Sequence, residues 1–181
     1  MGISIKRDMQ YHIIAFKDVI VSILAGYMMI PMVLFINNVS MLFSKNYLEA
    51  ASQTLLTYPF VVQIILMAVI PALVEEFIFR GLFYGTYRKC GVLKGALMSG
   101  LVFGLFHLNI NQFCYAFVIG VVFAFLVEAT GSIWSSVLAH FAINTYSITI
   151  IQLLKITGTY DTMQELSLIH ISEPTRLRCI S

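Results

Sequence analysis

The chain has 181 residues, 59% of them hydrophobic and only 11% charged, with a mean hydropathy of +0.88 and a formal net charge of +2. That composition excludes an ordinary soluble domain, and the charge balance is too small to imply a nucleic-acid partner. Several apolar runs are about as long as a bilayer crossing, roughly 20 residues, and the short alternating segments of a membrane β-barrel are absent. The chain reads as all-α, a polytopic helical membrane protein in contact with lipid.

Five spans follow in chain order. The first covers about Ile13 to Asn37, behind Lys6 and Arg7; its run from Phe16 to Asn37 is too long for a signal h-region and has no convincing small-residue cleavage site. A connector, NNVSMLFSKNYLEAAS, is expected to lie at the membrane interface. The second span begins near Leu55 or Phe60 and runs through Glu75, Glu76 and Arg80 toward Arg88. The third covers Val92 to Leu108, the fourth Phe113 to Thr130 and the fifth Ile133 to Leu154, with a Gly131-Ser132 turn between the last two. Residues 1–54 thus form an N-terminal span and connector, 55–154 a membrane core, and 155–181 a tail. Basic residues at Lys6, Arg7, Arg88, Lys89 and Lys94 place the N-terminus and the loop between spans two and three in the cytoplasm. Cys90, Cys114 and Cys179 form no CxxC and no readable disulfide framework.

The tail carries its own expectation. The string LSLIHISEPTR, Leu166 to Arg176, breaks the composition of all that precedes it. Every residue matches the in-frame translation of a common sequencing-library adapter. Residues 166–181 are therefore expected to be read-through, with the chain truncated after Glu165 and no function for His170, Glu173 or Cys179. An ordinary amphipathic tail is the bland alternative.

Ionisable side chains within hydrocarbon cost several kcal/mol unless paired or hydrated, so each marks a candidate site. From the second span onward they are Glu75, Glu76, Arg80, His107, Glu128 and His140, and Glu128 sits near a span end, where the interface explains it. The others fall in three patterns: EEFIFR, FGLFH and HFAIN. A helix rises about 1.5 Å per residue, so Glu75 and His107 both lie roughly 20 Å from the loop joining their helices, Asn144 roughly 17 Å and His140 roughly 11 Å in from Ile133. The polar groups can meet at one level.

Spacing assigns roles. Glu76 and Arg80 stand four apart and share a helix face, so Arg80 neutralises Glu76. Glu75 points about 100° away and is free to act as a general base. His140 and Asn144 repeat the four-residue spacing, as do Phe103 and His107, with Phe103 packing under the imidazole. Base, water-positioning histidine and hydrogen-bond donors for an oxyanion make up a hydrolytic set. Two acids and two histidines are also ligand types for a divalent metal such as zinc, with Glu75, His107 and His140 as candidates. The residues leave that choice open. A structural ion pair for Glu76, packing roles for the histidines and an interhelical hydrogen bond for Asn144 are the bland readings. Asn109 and Asn111 read as polar loop groups, and Trp134 as an interfacial anchor.

Glu75-Glu76-Arg80, Phe103-His107 and His140-Asn144, in this order on successive apolar helices, resemble the EExxxR, FxxxH and HxxxN motifs of the CAAX prenyl protease and bacteriocin-processing (Abi) family of intramembrane peptidases. The likeness covers roughly Leu55 to Leu154. It implies an all-helical membrane fold and endopeptidase activity, with Glu75, Glu76, His107, His140 and Asn144 as the catalytic set and Arg80 and Phe103 in support. Eukaryotic members of that family cut prenylated CAAX proteins after the modified cysteine. Bacterial members are linked to bacteriocin maturation and self-immunity, and this short chain is similar to the bacterial type, in a bacterial cytoplasmic membrane. The substrate implied is a membrane-associated peptide or protein. Such proteins usually carry further hydrophobic segments, whose lack here fits truncation. Two rivals stand beside the enzyme: a non-catalytic immunity or scaffold protein using the same cavity, and a small transporter with a proton-relay carboxylate.

Overall fold

The computed structural model describes residues 10–44 and 55–159. The expectations for the tail beyond Glu165 and for the second half of the connector fall outside these residues. Five helices account for nearly all of the described chain: α1, Phe16–Met41; α2, Phe60–Cys90; α3, Val92–Phe106; α4, Ile110–Thr130; and α5, Ile133–Ile156. A 3₁₀ turn at Leu55–Thr57 precedes α2. Four helices are long and apolar enough to cross a bilayer, and α3 is apolar but only 15 residues long. The protein is an integral membrane protein.

Helix ends differ from the sequence reading for local reasons. The α1 helix continues past Asn37 to Met41, because the polar groups there find partners: Ser40 Oγ donates to the Asn37 carbonyl at 2.9 Å and meets Asn111 of α4. The α3 helix stops at Phe106 instead of Leu108, since Leu108 takes the left-handed conformation (φ 51°) that ends a helix. The α4 helix starts at Ile110, three residues before the expected Phe113, because Asn109 is its N-cap and accepts from the Asn111 N–H at 3.0 Å. Its other end closes on Gly131 at φ 66°.

The α2 helix is not a uniform α-helix. Pro71 lacks an N–H and crowds the carbonyl four residues back, and a π turn at Ile65–Val69 lies just before it, with the Ile70 N–H reaching Ile65 O. An α stretch, Ile70–Glu76, carries both acids. A second π stretch, Phe77–Tyr84, follows at once and holds Arg80.

Two compact units divide the chain between Thr145 and Tyr146, within α5. In the first, every helix contributes to one apolar cluster: Met29 from α1, Phe79 from α2, Phe103 from α3, Ala116, Ile119 and Phe123 from α4, and Ala139 and Ile143 from α5. Small residues bring backbones together, as is common where helices meet in lipid. A Cβ on Gly120 would lie 2.7 Å from Gly100 Cα, and one on Gly26 would lie 2.6 Å from Ala139 O. The second unit, from Tyr146 on, continues α5 to Ile156 and closes in a turn at Gly158.

Glu128 is not simply an interfacial charge. Its carboxylate takes the Tyr84 hydroxyl at 2.7 Å and the Arg88 guanidinium at 3.0 Å, tying α4 to the end of α2. Trp134 packs with Tyr11 and Phe77 in an aromatic trio, with ring centroids 5.7 to 6.2 Å apart.

Candidate active site

The consecutive acids on α2 face different surroundings. Glu76 is fully buried, with its Oε1 2.9 Å from Arg80 Nη1, one turn later, and 2.9 Å from His140 Nδ1 on α5. A carboxylate oxygen only accepts, so both nitrogens donate to it. Arg80 is buried as well and lies between two rings, its guanidinium carbon 4.3 Å from the Phe103 centroid and 5.2 Å from that of Phe123. Aromatic faces attract the desolvated cation, which helps to offset the cost of burying an ion pair. Gly120 leaves room for this arrangement, since a Cβ there would lie 3.3 Å from Arg80 Nη2.

Glu75 is the open acid. Its side chain keeps 21% of its surface accessible, and the nearest histidine nitrogen, His140 Nε2, is 3.9 Å from its Oε2. That distance is longer than a hydrogen bond. Among the described residues the carboxylate is therefore not locked to a donor, and it can accept from water.

Backbone and carboxylate partners fix how the two imidazoles are turned. His107 Nδ1 lies 2.8 Å from the Phe103 carbonyl, so Nδ1 carries hydrogen and donates. His140 Nδ1 donates to Glu76 in the same way. Each ring thus leaves Nε2 as its remaining site, and His140 turns that nitrogen toward Glu75. Phe103 underlies the whole set: its ring meets His107 edge-on at 4.9 Å and His140 at 6.0 Å, in addition to Arg80.

The structure thus brings together Glu75, Glu76, Arg80, Phe103, His107 and His140. Asn144 lies one turn beyond His140 on α5, is half-buried, and its side chain makes no hydrogen bond with another described residue. His140 Nε2 needs a second ring proton before it can donate to an oxyanion, because Nδ1 already carries one. Glu75, His107 and His140 offer metal-ligand atom types, yet among the described residues no three His, Cys, Asp or Glu side chains are gathered closely enough to hold an ion.

Three features lay beyond the sequence reading. Phe123 and Gly120 belong to the Arg80 enclosure, but an apolar ring and a glycine in an apolar span carry no chemical signal. Asn111, expected in a loop, is a buried residue of α4 with partners on α1. A cavity of about 290 Å³ opens at the α3–α4 turn, lined by Gly104, Leu105, Leu108, Asn109, Ile110 and Phe113.

Residues 57–146, which contain all of these side chains except those of α1 and the N-terminal segment, match the family model "Type II CAAX prenyl endopeptidase Rce1-like". The chain is also similar to a protein of Bacillus subtilis (strain 168) named "Putative membrane peptidase YdiL", with 32% identity over 86 residues. That match covers 47% of this chain and 35% of the relative, so the chain spans about a third of its length. No solved structure matches.

Proposed function

We propose that this chain, which through residues 57–146 belongs to the Rce1-like family of type II CAAX prenyl endopeptidases, hydrolyses a peptide bond in a membrane-associated or lipidated peptide by water that Glu75 activates. The observation carrying the reading is the contrast between neighbours: Glu76 is buried and engaged by Arg80 and His140, while Glu75 beside it is open and unengaged.

Water bound at Glu75 gives up one proton to the carboxylate as its oxygen attacks the carbonyl carbon. His107, its Nδ1–H held by Phe103 O, offers Nε2 as the acceptor for the other water hydrogen. The carbonyl becomes a tetrahedral oxyanion. Asn144 Nδ2 and, in its doubly protonated form, His140 Nε2 donate to that oxygen. Glu75 then passes its proton to the amide nitrogen, the C–N bond breaks, and an acid and an amine leave. Glu76 and Arg80 do not touch substrate here; they hold His140 and α2 in place. The apolar walls of the cavity at the α3–α4 turn suit an apolar stretch of the substrate.

The test is cleavage in lipid vesicles, using prenylated and unmodified membrane peptides in water enriched in ¹⁸O. The reading expects one ¹⁸O in the new carboxyl terminus and no product from Glu75→Gln. Folded protein that cuts none of the peptides, or label that does not enter the product, contradicts it.

A further inference from the structure

We infer that Asn111 is a positioning residue for His107, acting through the tight α3–α4 turn; the inference rests on the proposed role of His107. The turn has only three residues, His107, Leu108 and Asn109. Leu108 in its centre has φ 51°, a left-handed conformation that an L side chain with a full Cβ adopts only under constraint. Its own side chain cannot supply that constraint, since it is 96% exposed. Strained residues persist where their surroundings over-determine them.

The constraint comes from the next turn of chain. Asn111 is 1% exposed, and its Nδ2 donates to Ser40 Oγ at 2.7 Å and toward the Asn37 carbonyl at 3.4 Å, both on α1. Its backbone N–H donates to Asn109 Oδ1 at 3.0 Å, which fixes the residue that follows Leu108. Ser40 is itself buried and returns a contact to the Asn111 carbonyl at 3.4 Å. The Asn111 side-chain amide therefore pins the start of α4 to α1, while Asn109 caps the helix through the Asn111 backbone N–H. On the far side of Leu108, the His107 N–H bonds to Gly104 O at 3.2 Å and the ring bonds to Phe103 O, so His107 closes α3 and joins the turn directly through the Leu108 backbone.

Release of the clamp lets Leu108 relax toward negative φ and shifts His107 from the position that Phe103 O and the Phe103 ring give it. Asn111→Ala is expected to lower kcat by about tenfold to a hundredfold, the cost of misplacing a catalytic group by an ångström or less. KM should stay within about twofold, because substrate contacts are untouched. Adding Leu108→Gly to Asn111→Ala should recover at least about threefold of the lost kcat, because glycine takes the left-handed conformation without penalty. The ¹⁵N resonances of the His107 ring should shift in Asn111→Ala and return in the double variant.

An Asn111→Ala protein with wild-type kcat and an unshifted His107 signal overturns the inference. So does a loss of kcat that Leu108→Gly does not relieve, which marks a general packing role. If Asn111→Ala does not fold, Ser40→Ala removes the same clamp more gently, and wild-type kcat with unchanged His107 resonances there overturns it too. Failure of the wild-type protein to cleave any peptide instead sinks the proposed function, so the two readings fail in different ways.

Discussion

Glu76 and His140 are joined across two helices by a 2.9 Å hydrogen bond, and the same Glu76 oxygen receives Arg80 at 2.9 Å. The second acid of the pair is thereby committed to structure, and the imidazole of His140 is oriented by it. Nε2 is turned toward Glu75, 3.9 Å away. Two adjacent, chemically identical side chains thus have different surroundings, one engaged on α2 and α5 and one left open.

Removing one member of the buried pair leaves the other charge stranded in a low-dielectric interior. Arg80→Met is expected to cost about 3–5 kcal/mol of stability. The double variant Glu76→Gln/Arg80→Met should be more stable than the sum of the two single losses predicts, because it buries no lone charge. A double-mutant cycle of unfolding free energies in detergent measures this; strictly additive losses would show that the pair is not coupled.

The contact of α3 with α4 depends on missing side chains. Gly120→Ala places a Cβ 2.7 Å from Gly100 Cα, a backbone atom that cannot rotate aside, and 3.3 Å from Arg80 Nη2. Overpacking of this kind costs about 1–3 kcal/mol. Unfolding midpoint and cleavage rate should fall together, and a variant as stable and active as the wild type would mean that the helices can separate freely.

His107 offers a cleaner separation of chemistry from stability. It caps α3, and its side chain makes one hydrogen bond, to Phe103 O. His107→Ala should lower kcat about a hundredfold or more through loss of water positioning, while costing about 1 kcal/mol of stability. Steady-state kinetics with a parallel unfolding curve checks both halves; a large stability loss with little kinetic effect would recast His107 as a packing residue.

The Asn144 side chain makes no hydrogen bond to another described residue, so its removal should barely touch the fold. Asn144→Ala is expected to change stability by about 0.5 kcal/mol or less. If it donates to the oxyanion, kcat should fall by about 10²–10³ with KM little changed. Unaltered kcat would remove it from the reacting set.

The helices and the three motifs were legible because their signals are local. Apolar runs of bilayer length mark spans, and a four-residue spacing places Glu76 beside Arg80 whatever the rest of the fold does. Depth along the helices placed His107 and His140 at a shared level. The Glu76–His140 bond was not legible, since it depends on the rotation of α5 about its own axis, and two π stretches of α2 alter the twist on either side of the acids. Phe123 and Gly120 were hidden for a different reason. Their contribution is shape and an aromatic face, which look the same as any other apolar span. Asn111 was misplaced because the turn is shorter than its polar residues suggest: Asn109 caps α4 early and draws Asn111 inside. Glu128 read as interfacial because its partners, Tyr84 and Arg88, stand 44 and 40 positions away in sequence.

The most direct measurement is the cleavage rate of Glu75→Gln in lipid vesicles, beside its unfolding curve. Glutamine keeps the shape and most contacts of the side chain but cannot take the proton from water. The expected result is a loss of kcat of at least about a hundredfold with an unchanged unfolding midpoint. Cleavage at the wild-type rate by the folded variant would contradict Glu75 as the base.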